Sequence, residues 1–111
     1  MNKKEYNGWY NYETWACDLW YDSAFSEDAS QVWDDSKGDD TFSKKKNATL
    51  ALGDVIKSIV EETALEGIPE NGFAADLLNA ALFEINYYEI AEHYINDIAD
   101  EHEEEESKEE A

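Results

Sequence analysis

The residue types that most often carry nucleophilic or metal chemistry are sparse in this chain: one cysteine, Cys17, and two histidines, His93 and His102. Neither histidine belongs to a His-Glu-x-x-His or Glu-x-x-His pair, so the zinc-protease and di-iron carboxylate patterns are absent. Glu89, His93 and Asp97 recur every fourth residue, a spacing that puts them on one helix face able to chelate a divalent cation. The simpler reading is a solvated polar face beside Ile90 and Tyr94, and no metal is expected. Cys17 needs a depressed pKa to act as a nucleophile. It stands beside Asp18 on an aromatic helix, a setting of core packing and not of thiolate activation. Gly8, Gly38, Gly53, Gly67 and Gly72 are scattered and build no phosphate-cradling loop. All 8 basic residues are lysine, so the two-pronged carboxylate and phosphate clamps that arginine makes are missing. These residues predict a binding protein with no catalytic residue and no cofactor, and not an enzyme.

Carboxylates are the chemistry this chain has in excess. Its 111 residues hold 28 Asp and Glu, for a net charge of -20. Residues 1–50 carry 10 acids and 6 lysines, whereas residues 51–111 carry 18 acids and 2 lysines. The run from Asp97 to Ala111 accounts for -8 and reads as a solubilising tail, which leaves -12 on residues 1–96. Halophilic adaptation fits poorly with so many lysines, aromatics and asparagines. On the expected helices Glu61, Glu62, Glu66, Asp76, Glu84, Glu89, Glu92, Asp97, Asp100 and Glu101 turn away from the apolar stripes. A helix rises ~1.5 Å per residue, so acids three to five apart lie roughly 5–8 Å apart along the axis. Each strand of B-DNA presents one phosphate per ~3.4 Å. Two or three neighbouring acidic helices therefore approach the charge density of a duplex face. Such a surface repels nucleic acid and anionic membranes and attracts the groove of a basic, DNA-binding protein. That association is fast and steeply salt-dependent.

Aromatics concentrate at the other end, with nine of the fifteen in the first 33 residues. Trp9, Tyr10, Trp15 and Trp20 mark this aromatic head. Trp15, Leu19 and Trp20 are expected to fill the core, with Trp9 packed over them. The head is net negative, which disfavours a base-stacking platform. One or two aromatics left exposed there would form a protein-binding patch. The second hypothesis is accordingly an interaction module, as monomer or homodimer, working through the head around Trp9, Tyr10 and Trp20. Lys44, Lys45 and Lys46 read as local solubilisation or a basic docking site.

The elements that must position these groups are helices. Asn11 is a good N-cap, and Tyr12, Trp15, Ala16, Leu19 and Trp20 form an apolar stripe over 12–23. A short helix is predicted over 27–34, capped by Ser26. Leu52, Val55, Ile56, Ile59 and Val60 predict a third over 46–65, stopped by Gly67 and Pro69. Phe73, Leu77, Leu78, Ala81, Leu82 and Ile85 make a fourth stripe. Asn86 with Glu89 has the capping-box form, so a fifth helix starts there, carrying Ile90, Ala91, Tyr94, Ile95 and Ile98 inward. It should fray after about Glu101, where like charges repel. No strand alternation is sustained. The prediction is all-α: one domain of four or five helices over 1–101 and an acidic tail over 102–111. A lone cysteine, a start without an apolar run, and no stretch long enough to span a bilayer predict a cytoplasmic protein.

Asn11-Tyr12-Glu13-Thr14-Trp15, followed by Leu19-Trp20, resembles the N-terminal signature of a family of small uncharacterised proteins from bacteriophages, prophages and plasmids. Phe73-Ala74-Ala75-Asp76-Leu77-Leu78, then Glu84 to Tyr94, resembles that family's C-terminal block. The resemblance implies a mobile-element origin and a place in the host bacterial cytoplasm; it brings no activity and no functional residues. Acidity and size are separately similar to phage anti-restriction and anti-CRISPR DNA mimics, a likeness of composition without a motif. The first hypothesis is thus an accessory protein that inhibits a host DNA-binding defence or repair protein by DNA mimicry.

Overall fold

Helix signals in the chain translate into five helices in the computed structural model, which describes residues 5–110 and the side chains of residues 5–101. They are α1 (Tyr12–Trp20), α2 (Ser26–Asp35), α3 (Lys44–Ala64), α4 (Phe73–Glu84) and α5 (Tyr87–Glu110). The side chains of the tail assigned to 102–111 lie outside the described residues. The described residues contain no sheet, only a single bridge between Tyr6 and Trp9. None of the described helices is long and apolar enough to cross a membrane.

Caps set the starts. Asn11 Oδ1 accepts the Thr14 N–H at 2.9 Å, and Asn86 Oδ1 accepts the Glu89 N–H at 3.1 Å, so α1 and α5 begin where their asparagines predict. The return half of the expected capping box is diverted. Glu89 accepts from the Tyr10 N–H at 2.9 Å, and the Asn86 N–H goes to Thr14 Oγ1 at 2.9 Å. Ser43 caps α3 by accepting the Lys46 N–H, which starts the helix at Lys44 and puts the three lysines in its first turn. Ser26 is not the cap of α2: that position falls to Phe25, without a side-chain bond. Phe25 is buried against the rings of Tyr21 and Tyr94, and that anchor draws Ser26 into the first turn.

The spine is the α3–α5 pair. Tyr88 at the start of α5 lies over Gly53 and Asp54 near the middle of α3, while Glu92 and Asn96 reach α3's first turns, so the two helices are antiparallel. Leu52, Ile56 and Val60 meet Ile90, Ala91 and Ile95 there, and α2 covers the seam with Phe25 and Ala29. Each of the leucine, isoleucine and valine side chains there contributes about 1.5–3 kcal/mol when fully buried. Gly53 is needed for the close approach, since a Cβ at this position would run into the Tyr88 ring.

The α1 stripe and the first turn of the α4 stripe do not point where periodicity predicts. On α1 the buried residues are Thr14 and Cys17, while Leu19 is 55% and Trp20 82% exposed. At 100° per residue the helix is turned by roughly half a rotation from the expected orientation. Trp15 is half-buried, packed on Tyr6 at 4.7 Å between ring centres, and does not enter the central core. On α4 the later part of the stripe faces inward as predicted, with Leu82 buried and Leu78, Ala81 and Ile85 half-buried, whereas Phe73 is 78% and Leu77 54% exposed. The cause is polar: bonds made by Asn11 and Thr14 hold the Thr14 side of α1 inward, and α4 docks chiefly on α1.

Candidate functional site

Asn11, only 1% exposed, positions the surface features that follow. Its Nδ2 donates to the Glu84 carbonyl at 2.7 Å, and its Oδ1 also accepts the Thr14 hydroxyl at 2.6 Å. With the Thr14–Asn86 bond, this ties the start of α1 to the α4–α5 junction. The Asn11–Trp15 segment and the segment that begins at Glu84 therefore meet in space. Every buried side-chain polar atom among the described residues has a partner.

This clasp sets α1 alongside α5 and brings carboxylates from both into one cleft of about 470 Å³. Asp18 and Asp22 line one side, Asp97 and Glu101 the other. His93 stands between them, its ring stacked on Trp9 at 4.3 Å. No lysine lines this cleft. Burial raises the Asp18 carboxyl above the usual aspartate range; His93 pulls it down and Asp22 pushes it up. The cleft thus carries four carboxylates with one imidazole, His93, and no lysine among its lining residues.

The other predicted acids are distributed. Glu61 and Glu84 both line a second cleft, about 770 Å³, shared with Lys57, Tyr10 and Tyr88. Glu89 lies next to it, engaged by the Tyr10 amide. Glu92 lies in a smaller pocket with Lys45 and Lys46, so its charge is partly offset. Glu62, Glu66, Asp76 and Asp100 are exposed and line none of these clefts. The carboxylates thus gather in two clefts and on scattered surfaces. Asp18 and Asp22 were missed by a reading that divides the chain at residue 50, although their four-residue spacing, one on α1 and one just past its end, is visible in the sequence.

The aromatic head divides as well. Trp9 is half-buried on His93, Trp15 sits in a cluster with Tyr6 and Tyr12, and Tyr10 and Trp20 are exposed. Tyr6 and Trp9 exchange backbone bonds of 2.9 and 2.8 Å around Asn7 and Gly8, whose φ angles are 47° and 88°. Asn-Gly favours this left-handed turn and is a signal the chain openly displays. Where α1's outward stripe meets α4, an apolar groove of about 300 Å³ opens between Tyr12, Ala16 and Trp20 on one side and Leu78, Ala81 and Ile85 on the other.

Burial, and secondarily Asp18, pushes the Cys17 thiol up to about 12, which leaves no thiolate for chemistry at neutral pH. Among the described residues no group of three or more His, Cys, Asp or Glu is placed to hold a metal ion. Glu89 and His93, two of the three potential chelators, are occupied by the Tyr10 amide and the Trp9 ring. The chain matches no protein-family model, no curated protein and no solved structure.

Proposed function

We propose that this chain is a non-enzymatic accessory protein of a bacteriophage or other mobile element, acting in the host cytoplasm. It inhibits a basic DNA-binding defence or repair protein by offering carboxylates in place of phosphates. The observation that supports this best is the lysine-free cleft of Asp18, Asp22, Asp97 and Glu101. Glu89 and Glu92 stand nearer the start of α5, Glu89 accepting from the Tyr10 amide and Glu92 beside Lys45 and Lys46. From Glu89 to Glu101 the helix rises about 18 Å, the span of roughly five phosphates on one strand of B-DNA. Five acids lie in that span: Glu89, Glu92, Asp97, Asp100 and Glu101. Rigid helices hold these charges in place, so little ordering entropy opposes the encounter.

The test is capture of bacterial lysate proteins on the immobilised chain across a salt gradient, with duplex DNA as competitor. The expected partner elutes at moderate salt and is displaced by duplex. Asp18→Asn, Asp22→Asn, Asp97→Asn and Glu101→Gln, combined stepwise, weaken capture in a graded way. A fully neutralised cleft that captures as well as the native one sinks the reading. A second reading, an interaction module acting through the head, is favoured by the exposure of Trp20 and Tyr10. It predicts salt-resistant capture that alanine at these positions abolishes.

A further inference from the structure

Two asparagines of this chain are followed by glycine, in Asn7-Gly8 and Asn71-Gly72. Such a pair is prone to lose ammonia, because glycine has no Cβ to keep its amide nitrogen away from the preceding side-chain carbonyl. Both pairs are exposed, and space around both glycines is open. The two are equal in sequence and unequal in the fold. Asn7 and Gly8 form the tip of the Tyr6–Trp9 turn, in left-handed backbone with φ angles of 47° and 88°. The Trp9 N–H donates to the Tyr6 carbonyl at 2.8 Å and the Tyr6 N–H to the Trp9 carbonyl at 2.9 Å. Ring contacts pin both ends, Trp9 on His93 and Tyr6 on Trp15. Asn71 and Gly72 instead end the connection between α3 and α4. Gly72 is the N-cap of α4, its backbone is extended, and no side chain caps the helix. Among the described residues, no hydrogen bond engages the Asn71 side chain or the Gly72 N–H.

We infer that Asn71 is a site of spontaneous deamidation, and that the fold directs this reaction to Asn71 and away from Asn7. The Gly72 amide nitrogen, deprotonated by hydroxide, attacks Cγ of Asn71. A C–N bond forms, the Cγ–Nδ2 bond breaks and ammonia leaves, which closes a succinimide ring. Water then adds to either ring carbonyl and opens it. One product is aspartate; the other is isoaspartate, in which the main chain runs through the side-chain carbon. In sum one amide and one water give one acid and one ammonia, and nothing is oxidised or reduced. Attack requires the asparagine ψ to turn until the next nitrogen faces Cγ. At Asn71 that rotation breaks no hydrogen bond of the side chain or of the peptide between the pair. At Asn7 it opens both bonds of the turn and lifts Trp9 from His93. Two net backbone bonds correspond to about tenfold or more in the population of the opened turn. The new carboxylate at position 71 stands one residue before the uncapped start of α4, where free amides favour an anion. Asn71 lines none of the clefts described above, so the converted chain keeps them and gains one negative charge. Nothing in this chemistry depends on what the acidic cleft binds.

The test incubates the full chain in mildly alkaline buffer, folded and in urea, and follows both asparagines by peptide mapping with tandem mass spectrometry. Isoaspartate is counted separately by enzymatic methylation of its carboxylate with a labelled methyl donor. In the folded chain Asn71 should convert about tenfold faster than Asn7, and in urea the two rates should converge. Gly72→Ala, at an extended φ that any residue adopts, should leave the helical circular dichroism unchanged and slow conversion of Asn71 several-fold. Asn71→Gln should remove the more acidic species that ion exchange resolves from the aged native chain. Equal rates in the folded chain, or a faster Asn7, overturn the inference. An Asn71 that stays intact in the folded chain while converting in urea overturns it as well. A Gly72→Ala chain that ages as fast as the native one excludes attack by the Gly72 nitrogen and overturns the route on which the site rests.

Discussion

Replacing Asn11 by alanine tests the clasp on which both surfaces depend. Three bonds are lost at once. The N-cap acceptor for the Thr14 amide contributes ~1 kcal/mol. The Glu84 carbonyl loses its donor at 2.7 Å, and the Thr14 hydroxyl its acceptor at 2.6 Å, each in a buried or part-buried setting. An unmade bond of that kind costs about 1–3 kcal/mol, and Thr14 recovers part of it by rotating. The expected total is about 3 kcal/mol, which for a domain of this size lowers Tm by about 10–15 °C. Urea and thermal unfolding followed at 222 nm measure it. Asn11→Ser keeps a capping oxygen but has no amide to reach Glu84, so it should lose about half as much. A cycle with Thr14→Val should show coupling of at least ~0.5 kcal/mol, because the two side chains share one network. If alanine costs less than about 1 kcal/mol, or serine and alanine are equal, the clasp does not hold α1 and the explanation for its half-turn is wrong.

Three further outcomes follow from the packing. Gly53→Ala should destabilise by about 1–2 kcal/mol despite alanine's better helix propensity, because the new methyl meets the Tyr88 ring; in a Tyr88→Ala background the same change should become neutral or stabilising in urea titrations. Cys17, with its pKa at about 12 in the folded state, should stay unreactive toward an aromatic disulfide reagent at pH 8 and react at once when urea unfolds the chain. Asp18→Asn should raise Tm at pH 7. Burial lifts the folded-state pKa of Asp18, so the folded chain binds the proton more tightly than the unfolded one and ionisation costs stability as pH rises. Below the unfolded pKa, at about pH 3, both states hold the proton and the advantage of the variant should vanish.

The helices were legible where the information is local. Asn11 and Asn86 announce their caps by type and position, and the α3 and α5 stripes point inward as their spacing predicts. What periodicity could not convey is orientation at α1 and at the start of α4. An apolar stripe states which side of a helix is oily; it does not state that the opposite side carries a buried hydrogen-bond network. The donor of that network, Asn11, finds its acceptor 73 residues away at Glu84, and no window of sequence contains both. The same separation hid the acidic cleft. Asp18 and Asp22 belong by sequence to the aromatic head and by packing to the carboxylates of α5. Asn7-Gly8 is the contrary case, a local turn signal sufficient in itself.

The clasp also sets an order in time. During synthesis α1 leaves the ribosome first, yet its acceptor at Glu84 and its donor at Asn86 lie 73 and 72 residues behind. At ~5–20 residues per second this leaves about 4–15 s in which α1 has no seat. The α3–α5 spine, whose antiparallel pairing spans a shorter separation, has no such obligation to the amino terminus. Docking of α1 is then the non-local, late step of folding, the last region to gain protection from hydrogen exchange and the first to lose it.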